Sequence, residues 1–247
     1  GLDMAADGSV LLRTAAVDMG QGIHTALAQV AAEALGVEMA SVRVVTPDTE
    51  KTADAGPAVA SRQVFVSGNA VLDAARPIRE ALLGTAADMT GLPQAVLSVK
   101  AGYLWAEGER LSITVPELAA KALAQGRRLH AEGRYAMEYA QDFPQDGYPY
   151  SPEVFTFGTQ VAKVLVDMET GEVKVEELVI VQDAGRVISP EGARGQIEGG
   201  AAMGYGYALT EELIVRGGRT VNNSLESYLI PTVRDVPDMK VEIIQIP

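Results

Sequence analysis

The stretch "VDMGQGIHTALAQVAAEALG", residues 17–36, places two glycines around Gln21 directly ahead of a helical pattern. Apolar side chains recur after it at three- and four-residue spacing, which predicts an amphipathic helix closed by a left-handed cap at Gly36. They are Ile23, Leu27, Val30, Ala31, Ala34 and Leu35. The preceding stretch "GSVLLRTAAV", residues 8–17, is apolar and bounded by turn residues, which predicts a strand. The glycines therefore lie on a strand-to-helix turn.

This turn is suited to binding an anion. The first N–H groups of a helix have no partner within it and carry a partial positive charge, and glycine lets a ligand approach the main chain. A phosphate or a dinucleotide at Gly20 to Gly22 is therefore one interpretation of this turn. The alternative is structural: the glycines only close the turn, and Asp18 or Thr25 caps the helix. The stretch matches neither G-x-G-x-x-G nor G-x-x-x-x-G-K-[ST], so the standard nucleotide fingerprints do not apply.

Composition limits the classes of protein. With 247 residues, 47% of them hydrophobic, the chain can bury a sizeable core, and we expect a soluble globular protein. A net charge of -13 argues against nucleic acid or an anionic membrane surface as a partner, because the overall field repels both. The chain has no cysteine, which excludes disulfides, a thiolate nucleophile, a zinc-thiolate site and an iron-sulfur cluster ligated by this chain.

The sequence contains no recognisable targeting segment. Its N-terminus lacks a basic region followed by an apolar core, and no apolar run is long enough to span a membrane, so a cytoplasmic location is expected. The sequence begins with Gly1 rather than methionine and ends at "VEIIQIP", directly after a predicted strand. We interpret it as a piece of a longer protein.

The two histidines disfavour a histidine-rich metal site. His24 and His130 are far apart in the sequence and lie in different contexts. His24 falls in the first helical turn, where the helix dipole disfavours its charged form, so a structural, hydrogen-bonding role is expected. No arrangement of serine, histidine and acid typical of a catalytic triad is visible.

The pattern of strands and helices predicts an α+β fold of two related lobes, each with mixed or antiparallel sheet and long flanking helices. The lobes are assigned to residues 1–140 and 141–247, joined by the proline-rich stretch 140–152. In the first lobe a second long helix is expected from about Ser67 to Leu83, followed by a hairpin near residues 100–102 and a short helix from near Val115. In the second lobe a hairpin is expected around Thr170 and Gly171, ahead of a glycine-rich stretch and a final strand.

Two further stretches are candidates for a site. "GPAVASRQVFVSGNAV", residues 56–71, places Ser61, Arg62 and Gln63 where they could form a tight polar pocket, with Arg62 countering a negative group. Alternatively, these residues turn a corner and cap a helix. "GARGQIEGGAAMGYGYALTEEL", residues 192–213, could aim the carboxamide of Gln196 into a site while its glycines admit a cofactor. The same glycines equally suit close packing of a helix on a sheet.

Five segments in order carry a family resemblance. They are "DMGQGIHT" (18–25), "ASRQVFVSGNAV" (60–71), "VQDAGRVISP" (181–190), "GQIEGGAAMGYGYALTEEL" (195–213) and "SYLIPTVRDVPDMKVEII" (227–244). Together they resemble the molybdopterin-binding subunit of the xanthine dehydrogenase and aldehyde oxidase family, and they span nearly all of the chain. One such motif is weak, whereas five in the same order are specific.

The resemblance implies which residues bind a molybdenum pyranopterin cofactor, in bacteria usually its cytosine dinucleotide form. In the family the M-G-Q-G turn binds the phosphate-bearing part, the alanine-serine segment lies close to the molybdenum, and the glutamine of G-Q-x-E-G contacts the pterin. The matching positions here are Gly20, Gln21, Gly22, Thr25, Ala60, Ser61, Arg62, Gln63, Gln196 and Gly199. The backbone of Ala60 is expected nearest the metal.

The resemblance also implies the reaction and the partners. The family hydroxylates an aromatic heterocycle or an aldehyde with an oxygen derived from water, and the electrons leave through iron-sulfur clusters and usually a flavin. Expected partners are therefore the preceding half of the molybdopterin subunit, an iron-sulfur subunit, an FAD subunit and a small-molecule substrate. Purine, nicotinate-like heterocycle, aromatic acyl thioester and aldehyde all remain open as substrates.

The sequence departs from the family in one important respect. The family's general-base glutamate lies in a G-x-G-E-P-P type segment after the I-P-T and D-x-P motifs, and it is expected beyond Pro247. We therefore expect a fragment or split subunit that is inactive alone. Two alternatives stay open: a non-catalytic assembly module with an exposed apolar docking patch, and a plain dinucleotide-binding protein that uses Gly20 to Gly22.

Overall fold

The structure is a computed structural model that describes residues 1–45, 47–59, 61–136 and 155–246. Contacts divide the chain into two compact units, Gly1–Glu153 and Val154–Pro247, called unit 1 and unit 2 below. The predicted connection 140–152, and with it the predicted boundary between residues 140 and 141, lies outside the described residues, so that boundary stays a prediction.

The described residues of unit 1 form two sheets and three α-helices. Its strands are β1 (Leu2–Met4), β2 (Val10–Arg13), β3 (Val42–Val45), β4 (Leu97–Lys100), β5 (Tyr103–Ala106), β6 (Glu109–Thr114) and β7 (His130–Ala131), and its helices are α1 (Ile23–Leu35), α2 (Arg62–Thr90) and α3 (Val115–Ala124). The first sheet has the order β3-β2-β1-β7 and is mixed, because β3 runs parallel to β2 while β1 is antiparallel to β2 and β7. The second sheet is the antiparallel meander β4-β5-β6.

Helix α1 forms as its periodicity predicts. Ile23, Leu27 and Leu35 are buried along one face. Gly36 ends the helix at φ 70°, and the cap N–H donates to the carbonyls of Ala32 and Glu33. A side chain at Gly36 would collide with the carbonyl of Val99, so the glycine serves both the cap and the close approach of β4.

Helix α2 is longer than predicted at both ends. It runs for 29 residues and passes through Pro77, whereas the apolar pattern indicated only Ser67 to Leu83. The first turn, residues 62–65, has no buried residue, and Val66 is the first buried side chain of the helix, so the apolar signal there is weak. The predicted hairpin at 100–102 and the short helix from Val115 are confirmed; Thr114 and Glu117 cap that helix reciprocally.

Unit 2 is a smaller mixed sheet covered by one long helix. Its elements are β8 (Gly158–Val166), β9 (Val173–Asp183), α4 (Pro190–Leu209), β10 (Val215–Arg216), β11 (Arg219–Thr220) and β12 (Asp238–Ile244). In the sheet, of order β12-β9-β8, β9 is antiparallel to β8 and parallel to β12. The predicted hairpin at Thr170 and Gly171 is confirmed. Ile180, Ala201 and Val241 are the buried centre of the core between α4 and the sheet.

The two units repeat one topology. Unit 1 begins with the hairpin β1-β2, followed by α1 and the parallel strand β3; unit 2 has the hairpin β8-β9, followed by α4 and the parallel strand β12. The strand orders β3-β2-β1 and β12-β9-β8 correspond. The predicted α+β fold with two related lobes of mixed and antiparallel sheet is confirmed. None of the described helices has the length and apolar content needed to cross a membrane.

The approach of residue 133 to α2 gives a test of the unit 1 core. A Cβ at Gly133 would collide with the main-chain oxygen of Ala70 and lie 2.5 Å from the main-chain nitrogen of Ala74. Gly133→Ala is therefore expected to lower the free energy of unfolding by about 1 to 3 kcal/mol, as overpacking does. The measurement is chemical denaturation, with Gly68→Ala as the matched control.

Gly68 is buried within α2, yet a Cβ there meets no atom within 4 Å. Gly68→Ala should therefore leave the stability unchanged or raise it by up to about 1 kcal/mol through helix propensity. Equal effects of the two substitutions would contradict the packing of residue 133 on α2.

Candidate functional site

The glycine turn, defined here as residues 17–22, is closed by the carboxylate of Asp18. Its Oδ1 accepts hydrogen bonds from the main-chain N–H groups of Gly20 at 2.8 Å and Gly22 at 3.3 Å, and its Oδ2 accepts from His24 at 3.5 Å. The amides of Gly20 and Gly22 precede the helix, and that of His24 belongs to its first turn, where an external anion was expected. The capping role considered for Asp18 is confirmed: the chain supplies an anion to its own helix start.

These hydrogen bonds change the acidity of Asp18. The bond from Gly20 is the largest cause that lowers the pKa of Asp18 below its ordinary value, with further lowering from Gly22 and His24. Desolvation acts in the opposite direction and is outweighed. The imidazole Nδ1 of His24 lies 4.0 Å from Asp18 Oδ2. The carboxylate is therefore held in its charged form by the amides that it caps.

The side chain of Gln21 folds back over the turn. Its Oε1 accepts from the N–H of Met19 at 2.6 Å, and its Nε2 donates to the carbonyl of Val17 at 2.8 Å and to Oε1 of Gln63 at 2.9 Å. Exchanging the oxygen and nitrogen of the Gln63 carboxamide gives a second arrangement, in which it pairs with both the N–H and the C=O of Val17 at 3.1 Å. In either arrangement, hydrogen bonds of Gln63 connect the first turn of α2 to the glycine turn. Two of the predicted segments are thus in contact.

The main chain of the glycine turn is open on one side. Gly20 and Gly22 have φ values of 107° and 78°, and a Cβ on either would meet no atom within 4 Å. Only glycine tolerates this backbone without strain, and the space in front of the main chain is open. Thr25 is exposed on the first turn of α1, and Ser61, also exposed, holds a left-handed φ of 56° at the start of α2.

Arg62 is engaged with the loop that precedes α2. Its Nη1 donates to the carbonyls of Ala55 at 3.1 Å and Pro57 at 2.9 Å, which fits the corner-turning alternative for this segment. A cavity of about 350 Å³ in unit 1 is lined by this arginine together with Arg13, Lys51 and other residues. Ala60, the residue expected nearest a metal, lies outside the described residues.

The remaining candidates lie in unit 2. Gln196 and Gly199 are exposed on α4, and a Cβ at Gly199 would meet no atom within 4 Å. Ile197 and Ala201 of the same helix pack onto the sheet, so the packing role expected for this stretch belongs to these apolar side chains. Gly199 faces open space instead.

His24 has the structural role that its position predicts. Its Nε2 lies 2.8 Å from the carbonyl of Ala16, so the expected hydrogen bonding is confirmed. Across the described ranges, no three or more histidine, cysteine, aspartate and glutamate side chains are grouped so that they could hold a metal ion. The described side chains thus offer no metal centre of their own.

Sequence reasoning missed the contact between Gln21 and Gln63. These residues are 42 positions apart, and no local pattern links them. The capping by Asp18 has a visible signal, because aspartate often accepts a hydrogen bond from the amide two residues later. The same Asp-x-Gly spacing recurs at Asp183, whose Oδ1 accepts from the N–H of Gly185 at 2.9 Å, between β9 and α4.

Fold and site together define a class: an α+β protein with an open, internally braced glycine turn at a helix start. A sequence profile of the molybdopterin cofactor-binding domain matches residues 2–237. The chain belongs to this family of cofactor-binding domains, and the resemblance seen in the sequence is confirmed.

Individual relatives agree with this assignment. The chain is 34% identical over 247 residues to a probable xanthine dehydrogenase subunit of Bacillus subtilis (strain 168), covering 99% of this chain and 32% of the relative. It is 29% identical to the nicotine 6-hydroxylase large subunit of Paenarthrobacter nicotinovorans, covering 99% and 30%. The chain therefore spans about a third of the length of these curated relatives.

Solved structures match the whole chain. Quinoline 2-oxidoreductase from Pseudomonas putida 86 matches with a TM-score of 0.82 and 27% identity, covering 100% of this chain and 31% of that one. A Cu,Mo-CO dehydrogenase matches with the same TM-score at 22% identity, which supports the fold alone.

The capping by Asp18 predicts a pH-dependent contribution to stability. Asp18→Ala is expected to lower the free energy of unfolding at neutral pH by about 1 kcal/mol, the usual cost of a lost helix cap. Because the pKa of Asp18 is lowered in the folded state, this contribution is present above the unfolded pKa and is lost as the pH falls through the folded pKa. Chemical denaturation of both proteins from neutral to acidic pH should show their stabilities converging; a constant difference would contradict the account.

Proposed function

We propose that this chain forms part of the cradle of a molybdenum pyranopterin in a molybdenum hydroxylase. The observation that carries the proposal is the open glycine turn, braced by Asp18 and Gln63, in a chain that belongs to the molybdopterin cofactor-binding family. The reaction class is the hydroxylation of a heterocycle or an aldehyde with oxygen derived from water, as the family resemblance implies.

The fit of the cofactor can be judged from the turn itself. Open space in front of Gly20 and Gly22 suits a ligand that lies against the main chain. Their amides are engaged by Asp18, whereas the amide of Gln21 is not among those that Asp18 engages. We therefore assign the main chain around Gln21, with the exposed Thr25, to the phosphate-bearing part of the cofactor. The open space in front of Gly20 and Gly22 supports this assignment with the carboxylate in place.

The other candidate residues receive their roles from the family pattern. Ala60 and Ser61 are assigned to the neighbourhood of the metal, with Arg62 holding the loop beside them. Gln196 and Gly199 are assigned to the pterin. The dinucleotide form with cytosine is proposed because it is the usual form in bacterial members of the family.

The chain's own contribution is to bind and orient. When bound, the cofactor supplies the redox chemistry of the hydroxylation. No G-x-G-E-P-P segment occurs in the 247 residues, so the general base is assigned to another part of the protein. The sequence also has no cysteine, so the iron-sulfur clusters are assigned to other domains or subunits. The FAD is assigned there as well, because the family pattern implies it.

The partner proposed for unit 2 is the remainder of the molybdenum subunit. The relatives are about three times as long as this chain, which covers 32% of the Bacillus subtilis protein. Strand β8 is exposed along its whole length, and Val161 and Leu165 expose 58% and 53% of their surface. An edge strand with exposed aliphatic side chains is suited to being covered by another segment.

Cofactor loading tests the role of the glycine turn. Gly22→Val and Gly126→Val both place a side chain on an exposed backbone of positive φ in open space, so each should lower the free energy of unfolding by about 1 to 2 kcal/mol. Only Gly22→Val should also lower the bound molybdenum and pterin, because its side chain occupies the ligand's space. The measurement is metal and pterin analysis of the proteins purified with their partners. Equal loading of both variants would refute the proposal.

Co-purification tests the partner surface. Val161→Lys should weaken association with the remainder of the molybdenum subunit while leaving the chain folded, because the side chain is exposed. The control is Met168→Lys, at the tip of the same hairpin, where the side chain is 91% exposed. Undiminished co-purification of Val161→Lys would contradict the assigned surface.

A further inference from the structure

We propose that Asp18 is a positioning residue of the cofactor site: its carboxylate folds the glycine turn before the cofactor arrives. This inference rests on the function proposed above. A phosphate was expected to supply the negative charge at the helix start, and this inference assigns that charge to a side chain of the chain itself. The cofactor then binds to a turn that is already folded.

The glycine turn has much conformational freedom to lose. Gly20 and Gly22 have wide backbone freedom, and a turn that contains both loses much entropy when it takes a single shape. Asp18 accepts hydrogen bonds from three amides within six residues, at 2.8, 3.3 and 3.5 Å. Hydrogen bonds to a charged acceptor are stronger than those between neutral groups. The carboxylate therefore selects one shape without any ligand.

The bracing leaves one side of the turn open. Gln21 forms hydrogen bonds with Met19 and Val17 of the turn, and Gln63 forms one with Gln21. Asp18 holds the glycine amides, yet side chains at Gly20 and Gly22 would still begin in open space. The bracing groups therefore do not fill the space that the ligand needs.

The repeated topology contains the same hydrogen bond, from a glycine amide to an aspartate, a second time. At the corresponding turn of unit 2, Asp183 accepts from the amide of Gly185, which also has a positive φ, of 55°. An aspartate thus closes the turn after the second strand in both units. In unit 1 the same device extends to Gly22 and His24, which fixes the backbone on both sides of Gln21.

A competing role for Asp18 makes the opposite prediction. If a phosphate of the cofactor replaced the carboxylate at these amides, Asp18 would oppose binding through its charge, and its removal would favour loading. If Asp18 positions the turn, its removal disfavours loading. The sign of the change in loading therefore decides between the two roles.

The test compares the wild-type protein with Asp18→Ala, Asp18→Asn and the control Asp7→Ala. Asp7 accepts from the N–H and the hydroxyl of Ser9, at 3.0 and 2.6 Å, beside the positive-φ Gly8. It matches Asp18 in its local chemistry but lies on another turn. Two quantities are measured: hydrogen exchange at the amides of residues 20, 22 and 24 without cofactor, and molybdenum and pterin content after expression with the partner subunits.

We expect Asp18→Ala to speed exchange at these three amides and to lower cofactor content several-fold. Asp18→Asn should lie between it and the wild type, because its carboxamide oxygen still accepts weakly, and Asp7→Ala should change neither quantity. Unchanged exchange in Asp18→Ala, or cofactor content equal to or above the wild type, overturns the inference. A wild-type protein without cofactor overturns the proposed function instead, while the exchange data still decide whether Asp18 folds the turn.

Discussion

The packing of α1 against α2 determines where the site residues meet. Leu27 and Leu35 on one helix and Ile78 and Leu82 on the other are fully buried, and each such side chain contributes roughly 1.5 to 3 kcal/mol on burial. This packing brings the first turn of α2 to the start of α1, where the Gln63 carboxamide reaches Gln21. Two segments far apart in sequence thereby become one surface.

The partial positive charge at the start of α1 is balanced by a side chain of the same chain. A helix N-terminus attracts an anion whatever its source, and here Asp18, four residues ahead of Gly22, supplies one. The hydrogen bonds to Asp18 make the turn more rigid, and they occupy amides that could otherwise bind a free phosphate. In the proposed function the cofactor therefore contacts the remaining main-chain groups of the turn, which suits a large ligand with many contacts better than a small anion.

Sequence periodicity predicted the helices and strands better than it predicted which of their side chains contact each other. The apolar face and the Gly36 cap predicted α1, and the alternation around Thr170 predicted the second hairpin, because both signals are local. The early start of α2 had a weak signal, since its first turn, residues 62–65, buries no side chain. The Gln21 and Gln63 pair depends on the packing of two helices, which no single stretch encodes. The family came from ordered motifs, and no residue pattern in the chain specifies a substrate.

The repeated topology explains why the two halves of the sequence echo each other. In both units a hairpin, a turn with Asp-x-Gly, a helix and a parallel strand follow in the same order. The turn ahead of α1 carries two open glycines, whereas on α4 the open positions, Gly199 among them, lie within the helix. One architecture thus carries two different kinds of open glycine surface.

The central claim is that this chain holds a molybdenum pyranopterin. Its most direct test is metal analysis and pterin extraction on the wild-type protein, purified from its natural host with whatever subunits accompany it. The account predicts stoichiometric molybdenum and a pterin nucleotide, together with iron on the accompanying subunits. A protein free of molybdenum and pterin, from cells whose other molybdenum enzymes are loaded, would contradict it.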